Sequence, residues 1–251
     1  MNGNRDKFFH KLKDTDVLCR VVDDKLPINR ERFIPFDKSY AYNRWNPPGK
    51  SFLYLSFGEK EKEYSSELRL SEYICLEEYR AKKGNKYYFC NFQPVTGGVI
   101  FDLSYNDVSL RKIKNMLDEY EDTMASQMIE EIMKEPDSVK KYQNKKKLKK
   151  KVKKLQLKYQ VDKGIIEESI AKQYLKMICN CIYKKVDETD DEKKEIDYKS
   201  FWALATYLKE QGVTGIIYPC TRTNKVVGKN LVLFNKNDAE PIESTIREFN
   251  Y

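Results

Sequence analysis

The chain changes its hydrophobic rhythm several times along its length. Residues 1–14 carry apolar positions at a spacing that predicts a short amphipathic helix. LCRVV at 18–22 is a short apolar run with an arginine inside it and predicts a strand. Residues 23–42 predict a loop, with Pro27 and Pro35 as breakers. FLYLSF at 52–57 is a continuous apolar run of strand length. From 63 to 80 the period turns helical, through Leu70, Tyr73, Ile74 and the Glu77/Glu78 pair. KGNK at 83–86 marks a turn, after which KYYFCNF (86–92) and GGVIFDLS (97–104) predict strands. Helical spacing returns over 107–134, stops at Pro136, and resumes through a lysine-rich run and 164–185. DETDDEKKE at 187–195 reads as a solvated acidic loop, and FWALATYLKEQG (201–212) as an amphipathic helix stopped by Gly212. TGIIYP (214–219) and NLVLFN (230–235) predict two closing strands.

Strands therefore dominate both ends, and a charged helical block lies between them. There is no internal repeat and no flexible linker. The pattern predicts one α+β domain spanning 1–251, a mixed β core carrying a helical, lysine-rich insertion at 105–195.

Composition sharpens this picture. With 251 residues, 40% of them hydrophobic and 13% aromatic, the chain can bury a proper core. Its first residues lack the apolar stretch of a secretory signal, and no run approaches 18 consecutive apolar residues. The expectation is a cytoplasmic protein without a membrane segment. Six cysteines without a C-x-x-C pair, and one histidine, give no zinc pattern, so no metal is expected and the thiols are expected reduced. The formal charge is +8, but 140–158 holds eleven lysines and no acid, so the remainder is about −3. That run suits the phosphates of a nucleic acid, a solvated helix face, or an acidic protein partner. Leu148, Val152, Leu155 and Tyr159 recur at helical spacing, which favours the helix face or the protein partner. The lack of aromatics within 145–154 argues against a single-strand stacking platform.

NRWNPPGKSFLYLSF at 43–57 holds the chemistry. Pro47 and Pro48 fix the backbone and Gly49 permits a tight turn, so Arg44 and Trp45 keep little conformational freedom. A rigid guanidinium at a strand mouth makes a bidentate anion clamp. The plain alternative is a proline-rich turn with a surface arginine.

The order of the pieces separates these. LCRVV, NRWNPPGKSFLYLSF, ICLEEYR and GIIYPCTRTNKVVGKNLVLFN succeed one another in a way that resembles the RES domain family, whose name comes from arginine, glutamate and serine. The likeness spans 18–57, 71–103 and 212–235, about 100 residues, and the block from 105 to 195 has no counterpart in it. The resemblance implies an ADP-ribosyltransferase-like RES fold and an activity that destroys NAD⁺. It also implies a toxin of a toxin–antitoxin pair, held inactive by a cognate antitoxin protein. Acceptors implied for the family include inorganic phosphate, for an NAD⁺ phosphorylase, and water, for a glycohydrolase. Transfer of ADP-ribose to a macromolecule is the alternative, and a catalytically weakened binding module is another.

By position, Arg20 matches the strand arginine, Arg44 the loop arginine, Tyr54 the L-Y-L tyrosine and Asn230 the asparagine opening the last strand. Helical phase does not separate Glu77 from Glu78; the motif selects Glu78. Two departures stand out. Asn43 replaces a glycine, and Cys220 replaces the serine, with a thiol that is larger and a poorer donor than a hydroxyl. A Cys220 thiolate nucleophile would need a base, and His10 is distant in sequence. Thr221, next door, would face the other side of a strand. These residues suit cleavage of a nicotinamide–ribose bond. Positive charge builds on the sugar as that bond breaks, and a carboxylate near the ribose, Glu78, stabilises it. Arg20 and Arg44 would clamp the two phosphates, with Arg222 as a further phosphate candidate or a surface arginine. Tyr54 would stack on nicotinamide or close the pocket, and Asn230 and Cys220 would line the floor. No G-x-G-x-x-G follows a strand, so NAD⁺ is expected as substrate and not as a bound redox cofactor.

Overall fold

The computed structural model describes residues 8–36, 43–104, 190–220, 222, 223 and 228–251, with 122, 126, 130, 171, 173–178, 180 and 181 between. The chain forms two compact units: Met1–Ser104 together with Cys179–Tyr251, and Tyr105–Ile178. The second unit covers most of the expected insertion, while 179–195 groups with the sheet. The lysine run 140–158 lies outside the described residues, as does Thr221.

The first unit is built on one sheet. Its strands are β1 (Phe9–Lys11), β2 (Val17–Asp23), β3 (Leu53–Gly58), β4 (Lys86–Pro94) and β5 (Val99–Asp102), followed by β6 (Gly215–Pro219), β7 (Lys229–Leu233), β8 (Ala239–Pro241) and β9 (Arg247–Asn250). They run in the order β1-β5-β6-β7-β3-β2-β4-β8, and β9 pairs with the other end of β4. All pairings are antiparallel except β5 with β6. The protein is thus mixed α+β, with a large and mostly antiparallel open sheet. A parallel pair requires a long crossover. Here the crossover runs from 103 to 214 and contains the whole second unit, so the extra chain enters where the sheet already needs a long connection.

The central strands were legible as apolar runs because both of their faces are covered. Leu18, Leu53, Leu55, Phe57, Leu231 and Leu233 belong to one buried cluster. Fully burying each such side chain contributes about 1.5–3 kcal/mol. Cys19, Val21 and Phe89 join Cys75 and Leu76 of helix α1 (Leu70–Tyr79) in a second cluster. The Cys75 thiol donates to the Cys19 carbonyl at 3.2 Å, fastening α1 to β2.

Helix α1 begins later than its periodicity predicts. Ser65 accepts hydrogen bonds from the Glu67 and Leu68 amides, an alternative to helical pairing that holds 63–69 in turns. The helix then starts where Glu72 accepts the Arg69 amide at 2.8 Å, with Arg247 holding the same carboxylate at 2.6 and 3.1 Å. It ends in a Schellman motif: Ala81 N–H donates to Leu76 O at 2.9 Å and Arg80 N–H to Glu77 O at 3.2 Å.

Two further segments differ from their sequence reading. Residues 9–11 form β1 and not part of a helix, because Phe9, His10 and Lys11 pair with Phe101, Ile100 and Val99. Of the acidic stretch 187–195, residues 191–195 open helix α2 (Asp191–Glu210) and are not a loop, and 187–189 lie outside the described residues. Asp190 caps it by accepting the Lys193 amide at 3.0 Å, and Asp191 and Glu192 complement the positive end of the helix dipole. Gly212, at φ 80°, follows its end as expected. No helix among the described residues is long and apolar enough to cross a membrane.

Candidate active site

The pairing of β2 with β3 stops early. Val17, Leu18 and Cys19 oppose Gly58, Phe57 and Ser56, and no pairing continues beyond. Past that point β2 stays with β4, and the two strands part. A cavity of about 590 Å³ opens beside this fork, lined by Arg20, Val21 and Val22 on one side and Tyr54, Leu55 and Ser56 on the other. Helix α1 supplies Cys75, Glu78 and Tyr79, and α2 supplies Lys194 and Tyr198. Tyr218, Arg222 and Asn230 complete the wall from β6, β7 and the segment between them. A volume of this size suits a substrate-sized ligand.

The 43–50 loop is braced from below. Trp45 is fully buried, with its ring 5.2 Å from Phe201 and 5.7 Å from Tyr218. The Tyr54 hydroxyl donates to Asn46 Oδ1 at 2.9 Å and accepts the Trp45 amide at 3.2 Å. Asn46 Nδ2 donates to the Lys50 carbonyl at 3.2 Å, and Gly49 turns the chain at φ 75°. The Trp202 indole N–H donates to the Asn43 carbonyl at 2.9 Å, joining α2 to the same loop. These contacts present Arg44 to the cavity, with its guanidinium carbon 5.8 Å from the Phe201 ring centre. Tyr54 lies in the cavity wall, but its hydroxyl is committed to the loop. Burial, set against its two loop bonds, pushes that phenol's pKa up, so it stays protonated.

Glu78 lies at the centre of a polar cluster. Its Oε1 accepts from Asn230 Nδ2 at 2.7 Å and from the Cys220 thiol at 3.2 Å. Arg222 Nε stands 3.9 Å from Oε2. The structure therefore distinguishes Glu78 from Glu77, since Glu78 lines the cavity and Glu77 is not among its lining residues. Burial first, and then the Glu78 charge, push the Cys220 thiol up to about 11. At neutral pH Cys220 is therefore a hydrogen-bond donor and not a thiolate. His10 is no base for it, because His10 contacts Asp16 at 2.7 Å and meets the Phe57 ring edge, away from the cavity wall.

Arg20 behaves differently from an ordinary surface arginine. Burial lowers its pKa to about 10, and the neighbouring Arg32 charge lowers it too. Its Nη1 has no hydrogen-bond partner among the described residues. Arg32 Nη2 donates to Asp23 at 2.9 Å, and the other Asp23 oxygen accepts from the Tyr79 hydroxyl at 2.9 Å. Despite partial burial, Tyr79, Lys25 and Arg32 together hold the Asp23 carboxyl below its ordinary range.

All seven residues singled out from the sequence are brought to this region: Arg20, Arg44, Tyr54, Glu78, Arg222 and Asn230 in the wall, and Cys220 through its bond to Glu78. The sequence reading missed Arg32, Tyr79, Arg80, Tyr218, Lys194 and Tyr198. Only Tyr218 carried a signal, as the tyrosine of GIIYP; the others reach the site through backbone paths that no local pattern encodes. The wall holds six cationic side chains, from Arg20, Arg32, Arg44, Arg80, Lys194 and Arg222, against the carboxylate of Glu78. Such a wall attracts an anion carrying more than one charge. Among the described residues no cluster of His, Cys, Asp and Glu could hold a metal ion.

No family model, no curated protein and no solved structure matches this chain.

Proposed function

We propose that the protein is a RES-like enzyme that consumes NAD⁺ by cleaving its nicotinamide–ribose bond, with phosphate or water as acceptor. The observation that carries this reading is the meeting of Arg20, Arg44 and Glu78, distant in the chain, in the wall of one cavity. A dinucleotide has two needs there. Its phosphates need fixed cations, and the cavity wall is strongly basic. Its ribose needs an oriented carboxylate as positive charge develops, and Asn230 and Cys220 fix one oxygen of Glu78 while Arg222 Nε stands 3.9 Å from the other.

In the reaction the C1′–N bond breaks and its electron pair returns to the pyridinium ring, so nicotinamide leaves neutral. The acceptor oxygen bonds C1′, and its proton passes to Glu78 or to solvent. Cys220 takes no covalent part, because its thiol keeps its proton at neutral pH. An antitoxin protein that restrains this activity is part of the same reading.

The test is direct. The purified chain is incubated with NAD⁺, with and without phosphate, and nicotinamide is measured by chromatography. Release that phosphate accelerates identifies a phosphorylase, and release indifferent to phosphate a glycohydrolase. Release that requires an added protein or nucleic acid, which then carries label from NAD⁺, identifies transfer to a macromolecule. No release at high protein concentration under any of these conditions would overturn the proposal.

A further inference from the structure

Arg80 occupies a position built for glycine. It is the residue that follows α1 in the Schellman motif described above, with φ 59° and ψ 47°. It is the one non-glycine residue with positive φ among the described residues. The small residue Ala81 packs on the cluster holding Leu76, which completes the motif. Glycine adopts this geometry without strain, and asparagine comes next; an arginine is disfavoured by its Cβ. Strain of this kind concentrates where a side chain has a task at a site. Arg80 is, moreover, one of the residues that line the cavity.

Its surroundings point to the task. Arg20 and Arg32 line the same cavity and lie close enough that one charge depresses the other's ionisation. Asp23 is the carboxylate near them, but it is shared among Arg32, Tyr79 and Lys25. No carboxylate pairs with Arg20 among the described residues. Packing like charges at a half-buried site is costly unless an anion joins them.

We infer that Arg80, with Arg20 and Arg32, forms a subsite for a phosphate group, and that Arg80 is its specificity-determining residue. On the NAD⁺-cleaving reading the group is either the diphosphate of the dinucleotide or the free phosphate that accepts ADP-ribose. Only the identity of that carrier rests on that reading; the anion site itself does not.

The experiment is calorimetric titration of the full chain with inorganic pyrophosphate, orthophosphate and ADP-ribose, for wild type, Arg80→Gly and Arg80→Lys. Binding is measured where circular dichroism shows each variant folded. Glycine suits the backbone, so R80G is expected to fold, and its pyrophosphate affinity to fall by roughly tenfold or more with the loss of a charge-assisted pair. R80K keeps the charge without the planar fork and falls between the two. If R80G weakens pyrophosphate and ADP-ribose together, the group is the dinucleotide's diphosphate. If only orthophosphate weakens, the group is the acceptor. Wild type that binds none of the three anions overturns the subsite, as does R80G that binds as tightly as wild type. An R80G chain that fails to fold also overturns it, because Arg80 would then be held for the fold. Tight pyrophosphate binding without any NAD⁺ cleavage would sink the enzymatic reading and leave the subsite standing.

Discussion

Removing one oxygen atom tests how the site is held. Tyr54→Phe deletes the hydroxyl that bonds Asn46 Oδ1 and the Trp45 amide, and leaves both groups without that partner in a loop where Trp45 is 0% and Asn46 2% exposed. Each stranded buried polar group costs about 1–3 kcal/mol, so together with partial relaxation the loss is roughly 2–4 kcal/mol. For a unit of this size that lowers the melting temperature by roughly 4–16 °C. The reporter is already in place. The chain has two tryptophans, and both touch this loop: Trp45 within it, and Trp202 through its bond to Asn43. Their emission should shift to longer wavelength as water reaches the loop, below the main unfolding transition. Arg44 follows Trp45 directly into the looser state, so nicotinamide release should fall by roughly ten- to a hundredfold. A Y54F protein with unchanged melting and emission would show that the hydroxyl carries no load. If it were also inactive, Tyr54 would instead act on the substrate.

Glu78→Gln keeps the oxygen that Asn230 and Cys220 hold but removes the charge, so release should fall by roughly a hundredfold or more with melting nearly unchanged; an equally active variant would show that another group stabilises the sugar. Cys220→Ser replaces a weak donor to Glu78 with a stronger one, so release should hold or rise by up to about tenfold; loss of activity in a folded variant would assign the sulfur a task of its own. The raised Cys220 pKa also has a sign in stability. The unfolded thiol ionises near 9.0 and the folded one near 11, so wild type should lose about 2–3 kcal/mol more than C220S as pH rises through that window, and nothing extra below it; denaturant titrations at pH 8 and pH 11 measure this. Gly228→Ala would place a Cβ 2.6 Å from Cγ1 of buried Ile74, pressing on the helix that carries Glu78; activity should fall more than stability, and a fully active variant would show that α1 shifts without consequence.

The local rules were readable wherever burial imposes a pattern. β2, β3, β6 and β7 appeared as apolar runs because their side chains are largely covered on both faces, which leaves the sequence little choice of residue, while β4 showed as an alternation because one of its faces is only partly covered. The Pro-Pro-Gly turn declared a rigid loop because proline and glycine restrict or release the backbone by themselves. Other features depend on what a segment meets. β8 and β9 are short strands of three and four residues whose pairing with β4 no periodicity announces. Residues 9–11 are a strand because β5 offers them an edge, and 191–195 are helical because Asp190 caps a turn that charge alone would leave in solvent.

The site divides along the same line. Arg20, Arg44, Tyr54, Glu78 and Asn230 were named from motifs, since each stands in a short stretch with its own recognisable neighbours. Their meeting is a property of the sheet. β3 lies between β7 and β2, so residue 56 stands beside both 19 and 230, and α1, seated on β2, sets Glu78 over them. Glu77 and Glu78 are one step apart on a helix, and only the seating of that helix decides which of them faces the cavity. Arg80 had no signal at all, because a left-handed backbone is invisible in a side chain that normally avoids it. The sequence by itself determined the apolar strands β2, β3, β6 and β7 and the stiffness of the 43–50 loop. The end of the β2–β3 pairing at Cys19, the cavity that opens there, and the charges gathered in its wall were decided by tertiary structure, because pairing register and helix seating are sums over contacts made by residues far apart in the chain.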